Sequence, residues 1–329
     1  MRNVRIAACL SAGLLLVVVG SVFISGCQNQ PEMTTIRYGG QYYPEEFLLK
    51  GYPEFWKEYG LNIEHILFSS GTEGNQALIA GEVDVNVGSD SKTVSLFTAI
   101  PDRALIIATI QRGDRYSTIV RADSSYQTWY DLKGKTVGTR LGTGAEQVLL
   151  RYFDQTDDLS WDDFEWVDLK IEDMIAALEN GSIEAFTAWE PTPAIAESQG
   201  VGRVLRSYGD IALVPVSVHT TVEFAENHRQ EIVRFLAAHI DKVDMINSDP
   251  DRAAELAAKA ASEQGIDVSA DAFKRIFERV DFSLEFDSGA LASIEDTAAF
   301  LYEKEKIDTI PEFRWDGSFL EEAKRLRAE

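Results

Sequence analysis

The segment Asp131–Glu146 most constrains the fold, because it reads as a strand, a glycine-rich loop and a helix in immediate succession. Thr136–Thr139 is a short β-branched run typical of a strand, and Arg140–Gly144 is the loop. Apolar residues then recur at helical spacing from Ala145 to Phe153. Such a junction directs backbone N–H groups and the positive end of a helix dipole at one point. The segment therefore predicts either a place for a small anion or a simple chain reversal that the glycines permit.

The same alternation of strand and helix runs through the first two thirds of the chain. Strands are predicted at Thr34–Tyr38, Ile63–Phe68, Val83–Val87, Ala104–Ile110, Thr136–Thr139, Glu165–Leu169, Ala185–Ala188 and, as a short strand, from Val204. Helices are predicted at Pro44–Tyr59 with breaks at Gly51 and Pro53, and at Glu73–Ala80, Lys92–Ala99, Ala145–Phe153, Ile171–Leu178 and Pro191–Gln199. This order indicates an α/β fold with mostly parallel sheets covered by helices.

Two further segments, Tyr116–Arg121 and Ile211–Val218, are predicted to cross between the two halves of this pattern. Two sheets joined by two crossings imply two lobes with a cleft between them. From Val222 onward the pattern is helical only. Helices are predicted there at Gln230–Asn247, Pro250–Glu263, Ala270–Val280, Gly289–Lys304 and Gly317–Ala328.

Composition excludes several kinds of function. The net charge of -23 argues against nucleic-acid binding, which needs a basic surface. The two cysteines are Cys9 and Cys27, so no disulfide, thiol catalysis or cysteine-ligated metal is possible after Cys27.

The four histidines lack the spacing of metal ligands, and no metal or other cofactor is expected. His65 lies in a strand pattern and is predicted to be structural. His228 and His239 lie in helical patterns and are predicted to be exposed.

The N-terminus reads as a targeting segment. Arg2 and Arg5 precede the uncharged, mostly apolar stretch Ile6–Ile24, which could be either a secretory signal or an uncleaved membrane anchor. Ile-Ser-Gly-Cys at its end resembles a bacterial lipobox. That resemblance implies a signal peptide over residues 1–26, lipid on Cys27, and a short polar tether over residues 27–33.

Ligands of open α/β sheets bind at the carboxyl ends of the strands, which nominates the loops that follow them. These loops are Gly39–Tyr43, Ser69–Thr72, Gly88–Lys92, Arg140–Gly144 and Trp189-Glu190. Hydroxyl and backbone donors suited to a sulfonate or carboxylate occur at Ser70, Gly71, Thr72, Ser89, Ser91, Gly142 and Thr143. Ordinary polar turns are the alternative for each loop.

The side chains of these loops suggest more specific roles. Arg140 could hold an oxyanion bidentately, or it could be a surface arginine paired with Glu146; Lys92 is a second candidate. Tyr42, Tyr43 and Trp189 could form an apolar or stacking wall, or only the rim of the core, and Gln41 beside them is a further ligand-binding candidate. Carboxylates that could pair with the amine of a zwitterion, or only cap the next helix, are Asp90 and Glu190.

Four stretches carry a resemblance to a known family. The run D-L-K-G-K-x-V at Asp131–Val137 resembles the opening of the second lobe in periplasmic-type solute-binding proteins of ABC importers. Tyr59–Asn62, Ala77–Asp84 and Gly181–Pro191 are similar to further parts of the branch that binds sulfonates, nitrate, taurine or thiamine precursors. The Trp-Glu-Pro of the last stretch departs from the Trp-Asp-Pro of many relatives by one methylene. The matches run from about Ile36 to about Val218.

The resemblance implies a two-lobed periplasmic-binding-protein (type II) fold with a C-terminal helical region. Lobe one would comprise residues 34–119 plus 214–329, including the C-terminal helices, and lobe two residues 120–213. The implied function is extracytoplasmic capture of a small organic anion or zwitterion by lobe closure, with aliphatic sulfonate or taurine first and nitrate open. The implied partners are the solute, ABC permease subunits and the membrane through lipid on Cys27. Alternatives are a thiamine-type pyrimidine or aromatic acid as solute, an enzyme of the same fold, or a solute sensor.

Overall fold

The computed structural model describes residues 33–328. The predicted signal peptide, the lipidation of Cys27 and all but the last residue of the tether lie outside the described residues. Within the described part of the chain, no helix combines the length and the apolar character needed to cross a membrane.

Ten strands form in residues 33–328, and most coincide with the predicted ones. They are β1 (Thr34–Gln41), β2 (Leu61–Phe68), β3 (Val85–Ser89), β4 (Ala104–Gln111), β5 (Tyr116–Arg121), β6 (Thr136–Thr139), β7 (Glu165–Asp168), β8 (Ala185–Trp189), β9 (Gly202–Ser207) and β10 (Val216–Thr221).

Thirteen α-helices form in the same range. They are α1 (Pro44–Gly51), α2 (Glu54–Lys57), α3 (Gly71–Ala80), α4 (Asp90–Ala99), α5 (Gly144–Asp154), α6 (Ile171–Glu179), α7 (Thr192–Ser198), α8 (Val222–Asn227), α9 (Arg229–Ser248), α10 (Pro250–Glu263), α11 (Ala270–Arg279), α12 (Ser288–Glu303) and α13 (Ser318–Ala328). Short 3-10 helices lie at Trp129–Leu132 and Trp161–Asp163.

The strands form two five-stranded sheets, in the orders β2-β1-β3-β10-β4 and β7-β6-β8-β5-β9. The βαβ strands run parallel within each sheet, as predicted. The two crossing strands pair antiparallel to their neighbours, so each sheet is mixed. The chain changes sheet between Gln111 and Tyr116 and again between Ser207 and Val216. The two-lobed α/β fold is therefore confirmed, while the lobe boundaries after residues 119 and 213 stay a prediction.

The two connections between the sheets lie side by side. The amide of Gly113 in the first connection donates to the Leu213 carbonyl of the second at 2.7 Å. The amide of Gly209 donates to Asp114 Oδ1 at 3.1 Å. A pair of adjacent, bonded connections is where two lobes of this kind can bend relative to each other.

Two histidines differ from the prediction that both would be exposed. His239 is fully buried, because the inward face of α9 packs on the first sheet. Its ring contacts the rings of Trp56 at 5.3 Å and Phe235 at 4.5 Å. His228 is half-buried and stacks on Phe224 at 4.4 Å. Helical periodicity alone identified the helix but not which of its faces is covered.

The C-terminal helices cover the first lobe through close backbone contacts. Helix α10 packs on α1, and Gly51 is the last residue of α1. A Cβ placed on Gly51 would lie 2.4 Å from the backbone carbonyl oxygen of Leu256. This glycine therefore does more than break the helical pattern, because it permits the packing of α10.

We expect Gly51→Ala to lower the free energy of unfolding by about 1–3 kcal/mol, because a backbone carbonyl cannot move aside cheaply. Urea unfolding followed by circular dichroism measures this. Gly289→Ala in the first turn of α12 is the matched control, since its nearest neighbour is a side-chain oxygen of Asp287 at 3.2 Å. Equal stability of the two variants would contradict the close-packing role of Gly51.

Candidate functional site

The loops that follow the strands of both sheets meet in the cleft. On the first-lobe side, a Cβ on Gly71 would lie 2.8 Å from Lys92 Cγ and 3.3 Å from Gln41 Nε2, so three loops are in contact there. On the second-lobe side, a Cβ on Gly144 would lie 2.2 Å from the hydroxyl of Tyr116. It would also lie 3.5 Å from Ser89 Oγ of the first lobe. The glycine loop of lobe two therefore faces the serine loop of lobe one.

Three helices begin at this junction, and two of them lack a side-chain cap. Ser70 precedes α3 and Ser89 precedes α4, yet neither hydroxyl caps its helix. Ser70 Oγ is buried and has no hydrogen-bond partner among the described residues. Ser89 Oγ lies 3.2 Å from Ser91 Oγ. Of the three residues that precede these helices, Thr143 alone accepts a bond from the first turn, at 3.2 Å from the amide of Ala145. At the start of α4, the carboxylate of Asp90 accepts from the amide of Ser91 at 2.7 Å. Uncapped helix N-termini with spare hydroxyls suit an anion.

Lys92 places a buried cation at the same junction. Its side chain is 8% exposed, and its ammonium donates to the hydroxyl of Thr72 at 3.1 Å. Within residues 33–328 it has no ion-pair partner. Burial lowers the pKa of Lys92 to about 8, although the carboxylates of Glu146 and Asp90 act in the opposite direction. The ammonium is thus mostly charged at neutral pH and carries an unpaired charge in a buried place.

The lysine stem occupies space that glycines leave open. A Cβ on Gly71 would lie 2.8 Å from its Cγ, and a Cβ on Gly88 would lie 2.9 Å from its Cβ. Larger residues at either position would displace Lys92 from the cleft.

Arg115 is a second buried cation, and the sequence analysis missed it. It lies in the first connection between the lobes and is 1% exposed. Its Nη2 donates to the Tyr116 hydroxyl at 2.7 Å and its Nε to the Val214 carbonyl at 3.3 Å. Nη1 is buried without a partner among the described residues. The guanidinium also lies over the rings of Tyr116 and Tyr43. A lone cation at the start of a predicted crossing strand was the signal that could have identified it.

Arg140 lies at the rim of the cleft and is paired with an acid. Its Nη1 lies 3.0 Å from Asp168 Oδ2, and its side chain is 24% exposed. Glu146, the partner considered in the sequence analysis, instead accepts from the amide of Gly142 at 2.6 Å and lies 3.3 Å from Lys306. The pairing of Arg140 with Glu146 is therefore wrong, and Asp168 takes that place because β6 and β7 are adjacent parallel strands.

The two predicted cleft acids are both bonded to protein groups. Asp90 accepts hydrogen bonds from Thr297 at 2.6 Å and from Gln147 at 3.2 Å, and burial raises its pKa. Glu190 is bonded to Arg279 and accepts from the amide of Ala194 at 3.2 Å, so it caps α7. Burial raises the pKa of Glu190 to about 7.

The predicted aromatic and amide side chains occupy different parts of the cleft. Tyr43 and Trp189 are buried, and the Trp189 ring contacts Tyr116 edge-on at 6.3 Å. Gln41 Nε2 donates to the carbonyl of Val87 at 3.0 Å. Tyr42 is half-buried and lines a cavity of about 410 Å³ between α1, α6 and α7.

A second cavity, of about 310 Å³, lies beside Lys92 between α4, α5 and the segment after α12. Its aliphatic walls come from Leu141, Leu150, Leu301 and Ile307, and the predicted residues Ser91, Gly142 and Thr143 also line it.

We expect Lys92→Met to stabilise the unliganded protein at pH 7 by about 1–3 kcal/mol, because the pKa of Lys92 falls from 10.5 to about 8 on folding. The free-energy cost of burying the charged ammonium is fully present below about pH 8, and it disappears as the pH rises toward 10.5. The gain should therefore shrink between pH 7 and pH 9.5 in urea unfolding. Lys259→Met, at a lysine that is 74% exposed, is the control and should change little at either pH. A pH-independent gain would contradict the buried charge.

Comparison with known proteins identifies the family and supports the fold. Residues 35–261 match the NMT1-like family. The chain is 26% identical over 265 residues to a putative aliphatic sulfonates-binding protein of Escherichia coli, covering 79% of each. The alkanesulfonate-binding protein SsuA of Xanthomonas axonopodis, bound to MOPS, superposes with a TM-score of 0.73 at 19% identity, covering 84% of this chain and 94% of that one. The desulfurization enzyme DSZB superposes with a TM-score of 0.66 at 16% identity, covering 89% and 99%. The chain belongs to the NMT1-like family.

Proposed function

We propose that this protein is the extracytoplasmic solute-binding component of an ABC importer and that its solute is a small organic anion, with an unsubstituted aliphatic sulfonate first. The observation that supports an anionic solute is the ammonium of Lys92, which has no ion-pair partner among the described residues and is buried where α3, α4 and α5 begin. A bound oxyanion would supply the missing counter-charge. The free Nη1 of Arg115 and the hydroxyl of Ser70 offer further donors.

The neighbouring groups favour an alkyl chain over an amine on the solute. The carboxylates of Asp90 and Glu190 already accept bonds from protein donors, so a zwitterion such as taurine would find neither of them free. The cavity beside Lys92 has aliphatic walls. The names of the relatives, which refer to aliphatic sulfonates, support the same class.

Closure of the lobes would complete the site. Ser69 of lobe one donates to Glu172 of lobe two at 2.6 Å, so the lobes already touch at one rim. A solute held from both sides would favour the closed population, which would then dock on permease subunits. In this proposal, lipid on Cys27 holds the protein at the outer face of the cytoplasmic membrane.

We expect Lys92→Gln to weaken binding of 1-propanesulfonate at least about ten-fold, because a charge-assisted hydrogen bond is lost. Isothermal titration calorimetry on the full chain in detergent measures the affinity. Arg140→Gln is the matched control and should have little effect, since Arg140 is already paired with Asp168. If instead Arg140→Gln weakened binding and Lys92→Gln did not, the anion would bind at Arg140 on the rim of the cleft and not at Lys92.

A thermal-shift panel identifies the solute class independently of these variants. It would contain alkanesulfonates, taurine, nitrate, bicarbonate, aromatic carboxylates and thiamine pyrimidines. Stabilisation only by pyrimidines or aromatic acids would move the site to the larger cavity beside Tyr42.

Binding should also depend on pH. The pKa of Lys92 in the free protein is about 8, and a bound anion would raise it. Affinity for 1-propanesulfonate should therefore be constant between pH 6.5 and 7.5 and fall as the pH rises above 8. Lys92→Arg, whose guanidinium stays charged, should remove that decline. A wild-type affinity that is constant up to pH 9.5 would contradict the role of the ammonium.

An enzyme of the same fold is the second candidate, because the desulfurization enzyme DSZB shares the architecture. The buried Glu190, with a pKa of about 7, is the residue that would serve as an acid or base. Its bonds to Arg279 and to the amide of Ala194 favour a structural role, and we therefore place the binding protein first.

A further inference from the structure

We propose that Thr297 is a positioning residue of the solute site, which fixes the helix N-termini of both lobes without touching the solute. The expected effect on solute binding rests on the proposed function, but the contacts of Thr297 do not depend on which solute binds. Thr297 lies on α12, in the C-terminal region, and is 1% exposed.

The Thr297 hydroxyl joins one residue from each lobe. It donates to Asp90 Oδ2 at 2.6 Å and accepts from Gln147 Nε2 at 2.7 Å. Gln147 also donates to Asp90 at 3.2 Å, so the three side chains bond to one another. Arg151 Nη2 lies 3.3 Å from the same hydroxyl. The one donor and both acceptor positions of a hydroxyl are thus in use.

The junction adjoins the proposed solute site, because Gln147 also lines the cavity beside Lys92. Asp90 is the first residue of α4, next to Ser89, and Gln147 lies one turn after Gly144 at the start of α5. The relative position of these two helix N-termini decides whether one anion can contact both. Thr297 bonds to a residue at the start of each helix and so restricts the separation of the two N-termini.

Helix α12 contacts lobe two through hydrogen bonds, ion pairs and the Phe300 ring, which lies under the Arg151 guanidinium, and it contacts lobe one by apolar packing. On the lobe-two side, Asp296 lies 2.7 Å from Arg151 and Lys304 lies 2.8 Å from Asp154 of α5. On the lobe-one side, Ile294, Ala298 and Ala290 share one apolar cluster with residues of α4, among them Val94 and Phe97. Loss of the Thr297 hydroxyl should therefore loosen α5 from α12 at this junction, with the two ion pairs still in place, while α12 stays packed on α4.

The test measures the distance between the lobes. The full chain with Cys9→Ser and Cys27→Ser has no cysteine, so spin labels can be placed at Gln76→Cys in lobe one and Asp173→Cys in lobe two, both exposed positions. Double electron–electron resonance without solute then gives the distribution of inter-lobe distances. Thr297→Val should increase the population ratio of longer to shorter distances about ten-fold relative to the unsubstituted chain.

Two variants separate positioning from folding. Thr297→Ser keeps the hydroxyl and should retain the parent distribution. Thr98→Val removes a hydroxyl that bonds only to its own helix, at 2.9 Å from the Val94 carbonyl, and should also leave it unchanged. An unchanged distribution in Thr297→Val, whether open or closed, would overturn the proposal.

The consequence for binding is a faster release. In Thr297→Val, dissociation of 1-propanesulfonate should be about ten-fold faster by stopped flow, with the Thr297→Ser rate near that of the parent. If the parent protein bound no sulfonate, the proposal of a sulfonate solute would be wrong. The distance measurement would still decide whether Thr297 is a positioning residue.

Discussion

Burial of the Lys92 ammonium next to a single threonine hydroxyl is the interaction on which the site depends. Removing a charge from water without a counter-charge is costly, and folding must overcome that cost elsewhere. The fold accommodates the lysine through two glycines, Gly71 and Gly88, that leave room for its stem. The N-termini of α3, α4 and α5 lie nearby, and in the proposed function a bound anion would supply the counter-charge that Lys92 lacks among the described residues.

The acidic character of the whole chain does not contradict an anionic solute. The net charge is -23, but the carboxylates nearest the cleft are already bonded: Asp90 to Thr297 and Gln147, Glu190 to Arg279. The net negative charge would repel an anion at long range, and salt screens this repulsion beyond about 10 Å. In the proposed function, selectivity would therefore arise from short-range contacts with Lys92 and Arg115, whose charges have no acidic partner in the described chain.

The sequence predicted the elements well and the partners of charged residues poorly. Period-two and helical patterns located β1 to β8, and the restart at Asp131 indicated the second lobe. Partners depend on tertiary contacts that no local pattern contains. Asp168 reaches Arg140 only because β7 lies beside β6, and the burial of His239 follows from the face of α9 that meets the sheet. Arg115 was not predicted, because its place at the start of a crossing strand was the only local signal and its burial depends on tertiary contacts with Tyr43 and Val214.

The C-terminal helices supply contacts between the two lobes that the sheets and their two connections do not provide. The two connections near Arg115 join the lobes at one edge only, so they leave the helix N-termini free to separate. Helix α12 contacts both lobes on the side of α4 and α5, and α11 contacts lobe two through Arg279. The hydrogen bonds and ion pairs among these contacts can re-form with water, whereas the packing of α12 on α4 of lobe one is apolar. Separation of the lobes at α12 should therefore break polar bonds of modest net free energy while α12 stays packed on lobe one, and such a low cost would permit reversible capture of a solute.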